Sequence, residues 1–162
     1  MITSPYSYLE TPSLLIDRDV ALANIEMMQK KADSLGLKLR PHIKTHRMPY
    51  FAKLQMEAGA CGIACAKIEE AKVMADNGIG DIFIANEVIG EDKYERLREL
   101  SRHIHVRIGI DNEVQLGQME KVFAAEERPL EVLIEYEVGE VRTGVTNDEQ
   151  LIRLVNAIKQ CR

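Results

Sequence analysis

The sequence predicts an α/β fold in which a parallel sheet is covered by helices, and three observations carry that reading. Short apolar runs of strand length alternate with amphipathic stretches of helix length along the whole chain. The strand-like runs are nearly continuous in apolar residues, as strands buried on both faces are. Capping residues and glycines stand at the changeovers. Strands that alternate with helices in this way build a parallel sheet with helices packed on it.

The first apolar run, Ser13-Leu14-Leu15-Ile16, is closed by Asp17 and predicts a strand. Asp19 then serves as N-cap of a helix in which Leu22, Ile25, Met28, Ala32 and Leu35 recur at helical spacing, and Gly36 stands where a C-terminal glycine belongs. Strand-like runs follow at residues 38–46, 62–67, 81–88, 105–110 and 130–138. Helical runs lie between them at 49–58, 68–77, 92–101 and 112–126. Thr146-Asn147-Asp148-Glu149 has the spacing of a capping box and opens a last helix with Leu151, Leu154, Val155 and Ile158 on one face. The pattern leaves two closures open, a doubly wound open sheet or part of a (β/α) barrel. A full barrel needs eight units and about 250 residues, against about five units in these 162 residues. Without a Pro/Gly/Ser-rich linker or repeat, residues 1–162 form one domain.

The composition, 46% hydrophobic and 29% charged with net charge −5, is that of a soluble globular protein. Basic residues are dispersed, so no nucleic-acid footprint is expected, and no apolar run reaches membrane-spanning length. Met1-Ile2-Thr3-Ser4-Pro5 lacks the basic and apolar regions of a signal peptide. Three cysteines, an odd number, argue against a disulfide framework and suit the cytoplasm.

Chemistry concentrates in Arg40-Pro41-His42-Ile43-Lys44-Thr45-His46-Arg47. As a strand, its period of two places Arg40, His42, Lys44 and His46 on one face. An inward-pointing face near the C-terminal end of a barrel strand is active-site territory. Desolvation and neighbouring positive charge there favour the neutral amine that attacks a carbonyl. An edge strand with a solvated basic face accounts for the pattern equally well. Gly139-Glu140-Val141-Arg142-Thr143-Gly144 follows the strand-like run 130–138 and could present a guanidinium to an anionic oxygen. An ordinary surface loop is the simpler account of it. Neither a P-loop nor G-x-G-x-x-G occurs. Cys61 and Cys65 have the wrong spacing for zinc and are expected to be small buried residues. His103 and His105 are expected to be structural. Glu135 and Glu137 share a strand face, where Glu137 either bonds a site group or pairs with a neighbouring strand's cation.

At these residues the chain resembles a known family. Thr11-Pro12-Ser13-Leu14-Leu15-Ile16-Asp17, Asn24-Ile25 with Met28, and Leu39-Arg40-Pro41-His42-Ile43-Lys44-Thr45-His46 look like the opening of the D-threonine aldolase / D-serine dehydratase family. These are pyridoxal-phosphate (PLP) enzymes on the alanine-racemase barrel. Ile84-Ala85-Asn86-Glu87-Val88 and the run Glu135 to Val145 are similar to that family's third and fifth strands. The resemblance implies a partial (β/α)8 TIM-type barrel of about five strand–helix units. It further implies that Lys44 holds PLP through a Schiff base and moves protons at the substrate α-carbon. Arg142 would contact the cofactor's ring oxygen, and His42, like His46, would stand behind the lysine without an assigned role.

The implied activity is aldol cleavage of D-threonine or related β-hydroxy-D-amino acids. D-serine dehydration, amino-acid racemisation, a non-catalytic PLP-binding protein and an inactive truncated domain are the alternatives. Where this chain has Glu137 and Thr143 the family often has Asp and Cys. The family continues through further barrel strands to a C-terminal β-domain with a divalent-metal site, whose ligands are not in this chain. The chain is therefore expected to be an N-terminal fragment, not competent alone, and its open sheet edges favour a homo-oligomer. The expected partner is a small-molecule amino-acid substrate.

Overall fold

Four parallel strands and six helices alternate among residues 5–161, the part that the computed structural model describes. The reading of Met1–Ser4 as free of a signal segment lies outside the described residues. Strands β1 (Ile63–Cys65), β2 (Asp81–Ile84), β3 (His105–Ile110) and β4 (Glu131–Ile134) pair in the order β1-β2-β3-β4. Every pairing is parallel and joins a strand to the next in sequence. A doubly wound sheet reverses strand order at a switch point. No reversal occurs here, so of the two closures the sheet takes that of a partial barrel.

The helices are α1 (Arg18–Ser34), α2 (Pro49–Glu57), α3 (Ile68–Asp76), α4 (Glu91–His103), α5 (Glu113–Phe123) and α6 (Asp148–Ile158). Each packs against its successor, from α2 through α6. Alternation along the strands turns Ile63, Cys65, Ile82, Ile84, Val106, Ile108 and Ile110 toward these helices, where all are buried. One local device recurs at two helix starts. Asn112 and Asn147 accept the backbone N–H of Gln115 and Gln150, while those glutamines reach back to the N–H of Asp111 and Thr146.

The opposite sheet face carries charge at its N-terminal end. Asp81 Oδ1 accepts from Arg40 Nη1 at 2.7 Å and Arg107 Nη1 at 2.9 Å, and Arg107 Nε donates to Glu131 at 2.6 Å. His105 joins through Glu131 at 2.9 Å, in keeping with its expected structural part. His103 lies outside this set, against Glu99 on α4.

Several elements depart from the sequence pattern. Residues 13–16 form no strand, and Leu14 is 91% exposed. A strand needs a hydrogen-bonding neighbour, and this run reaches none among the described residues. The N-cap of α1 is Asp17, whose carboxylate accepts from the N–H groups of Asp19 and Val20, so Asp19 already lies inside the helix. Its expected apolar face is only partly used, since Met28 and Leu35 are exposed while Gln29 is buried. Gly36 does end α1 with a positive φ, as Gly36 N–H bonds Asp33 O and Leu37 N–H bonds Ala32 O. The run 38–46 shrinks to a single bridge, His42 to Ala64, and the run 130–138 ends at Ile134, followed by a bridge from Tyr136 to Val145.

Candidate active site

The lysine segment is set by two competing uses of its backbone. Pro41 O accepts from Ala64 N at 2.8 Å and Leu39 O from Cys61 N at 2.9 Å, so residues 39–42 run beside β1. At His42 the ladder stops, because His42 Nδ1 accepts the N–H of Lys44 at 3.2 Å and opens a 3-10 turn, Ile43–Thr45. Ile43 is driven wholly into the core and Lys44 is turned to the exposed rim. The expected row of Arg40, His42, Lys44 and His46 on one face therefore does not form. Arg40 sits in the ion network at the other end, and only His42 and Lys44 mark the C-terminal mouth. Lys44 is exposed rather than desolvated, and its amine has no hydrogen bond or ion pair among the described residues. Burial, and then the charge of Lys44, hold the His42 imidazole below its ordinary range. His46 turns back on the chain, accepting the N–H of Met48 at 3.0 Å.

Three carboxyl groups gather at the C-terminal ends of β2, β3 and β4. Burial, followed by the facing carboxyl of Glu135, pushes Glu87 up to about 7, and Asp111 adds to the repulsion. Glu87 Oε1 is buried without a donor among the described residues. At that value Glu87 is a carboxyl that holds its proton close to neutral pH. Glu135 Oε2 accepts from Thr143 Oγ1 at 3.0 Å, and Asp111 Oδ2 accepts the N–H of Gly144 at 3.1 Å. The structure thus brings in Glu87 and Asp111, neither of which the sequence pattern marks as a site residue. The available signal was a polar residue just past each apolar strand, Asn86-Glu87 after β2 and Asp111 after β3.

The loop after β4 carries Arg142 beside a groove of about 230 Å³ lined in part by Glu135, Glu137 and Thr143. Glu137 forms no ion pair with a neighbouring strand's cation among the described residues, and bonds the candidate site residue Arg142 through that residue's backbone. Its carboxylate accepts the N–H of Gly139 and, at 2.9 Å, that of Arg142. The backbone N–H groups of Val141, Arg142 and Gly139 hold it down at about 2. Gly144 closes the loop at φ +98°, where an added Cβ would lie 2.8 Å from Glu137 N. The Arg142 guanidinium is exposed and, unlike those of Arg40, Arg47 and Arg107, has no ion pair among the described residues.

Because the strands are parallel, Lys44 and Arg142 stand at the same end of the sheet, at its two opposite edges. Cys65 is a buried β1 residue whose thiol burial pushes up to about 12, so it is no nucleophile. Cys61 is half-buried and free. Among the described residues no group of three His, Cys, Asp or Glu is placed to hold a metal ion, and no helix is long and apolar enough to cross a membrane.

Comparison with known proteins places the chain in a family. Residues 16–162 match the family described as alanine racemase, N-terminal domain. D-threonine aldolase from Arthrobacter sp is 37% identical over 150 residues, covering 93% of this chain and 40% of that protein. D-threo-3-hydroxyaspartate dehydratase from Delftia sp. (strain HT23) is 32% identical over 142 residues, covering 87% of this chain and 37% of that protein. The crystal structure of D-threonine aldolase from Filomicrobium marinum superposes with a TM-score of 0.90 at 36% identity, over 94% of this chain and 41% of that one. The chain thus spans about 40% of the length of the relatives it matches.

Proposed function

Because the chain belongs to the alanine racemase N-terminal domain family, we propose that it is the N-terminal part of a PLP-dependent lyase that cleaves β-hydroxy-D-amino acids, D-threonine first among them. Residues 1–162 then form one barrel domain completed by further strands, and the substrate reaches it from the end where Lys44 and Arg142 stand. The observation that carries this reading is the pairing of an unpartnered amine, Lys44, with an unpartnered guanidinium, Arg142, on one rim of a parallel sheet. That donor set fits the group: a primary amine for its aldehyde and a planar cation for its ring oxygen.

Lys44 would hold the group covalently and, once released, move a proton at the substrate α-carbon. Arg142 would hold the ring oxygen and keep the ring from turning. His42, whose burial disfavours its charged form, would keep a second full charge away from the Lys44 amine. The cofactor, when bound, supplies an electron sink for charge developing at the α-carbon. Glu87, raised to about 7, places a carboxylic acid within the same mouth.

Product analysis tests the reaction. The full-length protein, given PLP, a divalent cation and D-threonine, is expected to release glycine and acetaldehyde in equal amounts. A 2-keto acid with ammonia would instead mark a dehydratase. L-allo-threonine alone, the product of inversion at the α-carbon, would mark a racemase.

A further inference from the structure

We propose that Glu137 is a positioning residue for Arg142, holding the loop 138–144 in the one conformation that aims the guanidinium into the site. The inference rests on the cofactor reading above and adds to it the group that orients its arginine. Loop 138–144 has little packing to shape it, since Val138 and Val141 are 88% and 90% exposed. Val141 nevertheless adopts φ +53°, a left-handed conformation that is costly for a β-branched residue. Something must offset that cost, and the hydrogen bonds name it. The Glu137 carboxylate sits in the concave row of N–H groups that this backbone turn creates, accepting from Gly139 and from Arg142 itself. Two further anchors hold the far end, Thr143 on Glu135 and Gly144 on Asp111. Arg142 is therefore bonded through its own N–H to Glu137 and is followed at once by a residue clamped to Glu135. Its side chain is left with no ion pair among the described residues. A glutamine at 137 keeps one accepting oxygen but turns an NH2 donor on the second N–H. An aspartate keeps both acceptors on a shorter arm.

The test compares the full-length protein with Glu137→Gln, Glu137→Asp, Arg142→Ala and the Gln/Ala double variant. Without cofactor, the amides of Gly139 and Arg142 are expected to exchange about tenfold faster in Glu137→Gln, the effect of losing one charge-assisted hydrogen bond. With PLP added, Glu137→Gln and Arg142→Ala are expected to weaken binding alike and shift the absorbance band alike. The double variant should be no worse than Arg142→Ala, and Glu137→Asp should recover most of the affinity. Unchanged exchange in Glu137→Gln, or unchanged affinity there while Arg142→Ala binds weakly, overturns the proposal. Wild-type affinity in Arg142→Ala sinks the cofactor reading of Arg142 and takes this inference with it, and that failure shows without any Glu137 variant.

Discussion

The carboxylate of Glu135 lies directly over Gly109, so close that a Cβ on Gly109 would stand 2.8 Å from Glu135 Oε1. A glycine in the middle of a strand weakens it, and here the missing side chain makes room for an acid from the neighbouring strand end. That acid in turn holds Thr143, next to Arg142. Gly109→Ala is expected to displace Glu135, free the Thr143 hydroxyl and destabilise the fold by about 1–3 kcal/mol, as overpacking does. Urea unfolding measures the cost, and an alanine variant as stable as wild type would show that Glu135 is not confined there.

The facing pair Glu87 and Glu135 gives stability a pH dependence of defined sign. Glu87 titrates at about 7 in the fold, against the ordinary 4.5 of an unfolded carboxyl. Its protonated form therefore favours the fold below about pH 4.5, and that contribution is lost as pH rises through 7. Glu87→Gln, permanently neutral, should match wild type at pH 4.5 and exceed it at pH 8. Denaturation midpoints across that range decide, and a gap independent of pH would contradict the raised titration of Glu87.

At the opposite end of the sheet the sign reverses. Burial alone would raise Asp81, but the hydrogen bond and charge of Arg40, then those of Arg107, hold it below its ordinary 3.8. The stability it contributes is present above about pH 4 and is lost as pH falls through the lowered value. Asp81→Asn should cost about 1–3 kcal/mol at pH 7, between exposed and buried ion pairs, and the difference should fade as pH falls through the lowered value of Asp81. A cost that persists unchanged in acid would mean packing, not charge, holds this network.

Gly62 makes that network possible. At φ +143°, its absent Cβ would fall 2.1 Å from Arg40 Nη1 and 2.7 Å from Asp81 O. Gly62→Ala should expel the Arg40 guanidinium and lower the melting temperature at least as much as Asp81→Asn. Equal stability to wild type would contradict the close approach.

The repeating architecture was legible in the sequence because it rests on local periodicity. Strand β3 occupies the expected residues 105–110, α2, α3 and α4 lie within about two residues of their expected bounds, and α6 opens within the expected capping segment 146–149. Legibility failed where a side chain competed with the ladder or a partner strand was missing. Nothing in the spacing of His42 and Lys44 reveals that the imidazole will cap the N–H of Lys44 and end the strand. Leu14 and Ile16 have a strand-like pattern, yet pairing depends on a neighbour the local sequence does not contain. Lys44 and Arg142 stood out through their motifs. Glu87 and Asp111 stood out only once the sheet brought β2, β3 and β4 side by side.

The central claim is that Lys44 carries the cofactor, and borohydride trapping tests it most directly. Purified protein is incubated with PLP, its spectrum recorded, and the mixture reduced and mapped by peptide mass. The account predicts a yellow band that reduction converts into one fixed adduct, on Lys44. No band, or label scattered over exposed lysines such as Lys38, Lys53 and Lys67, would contradict it.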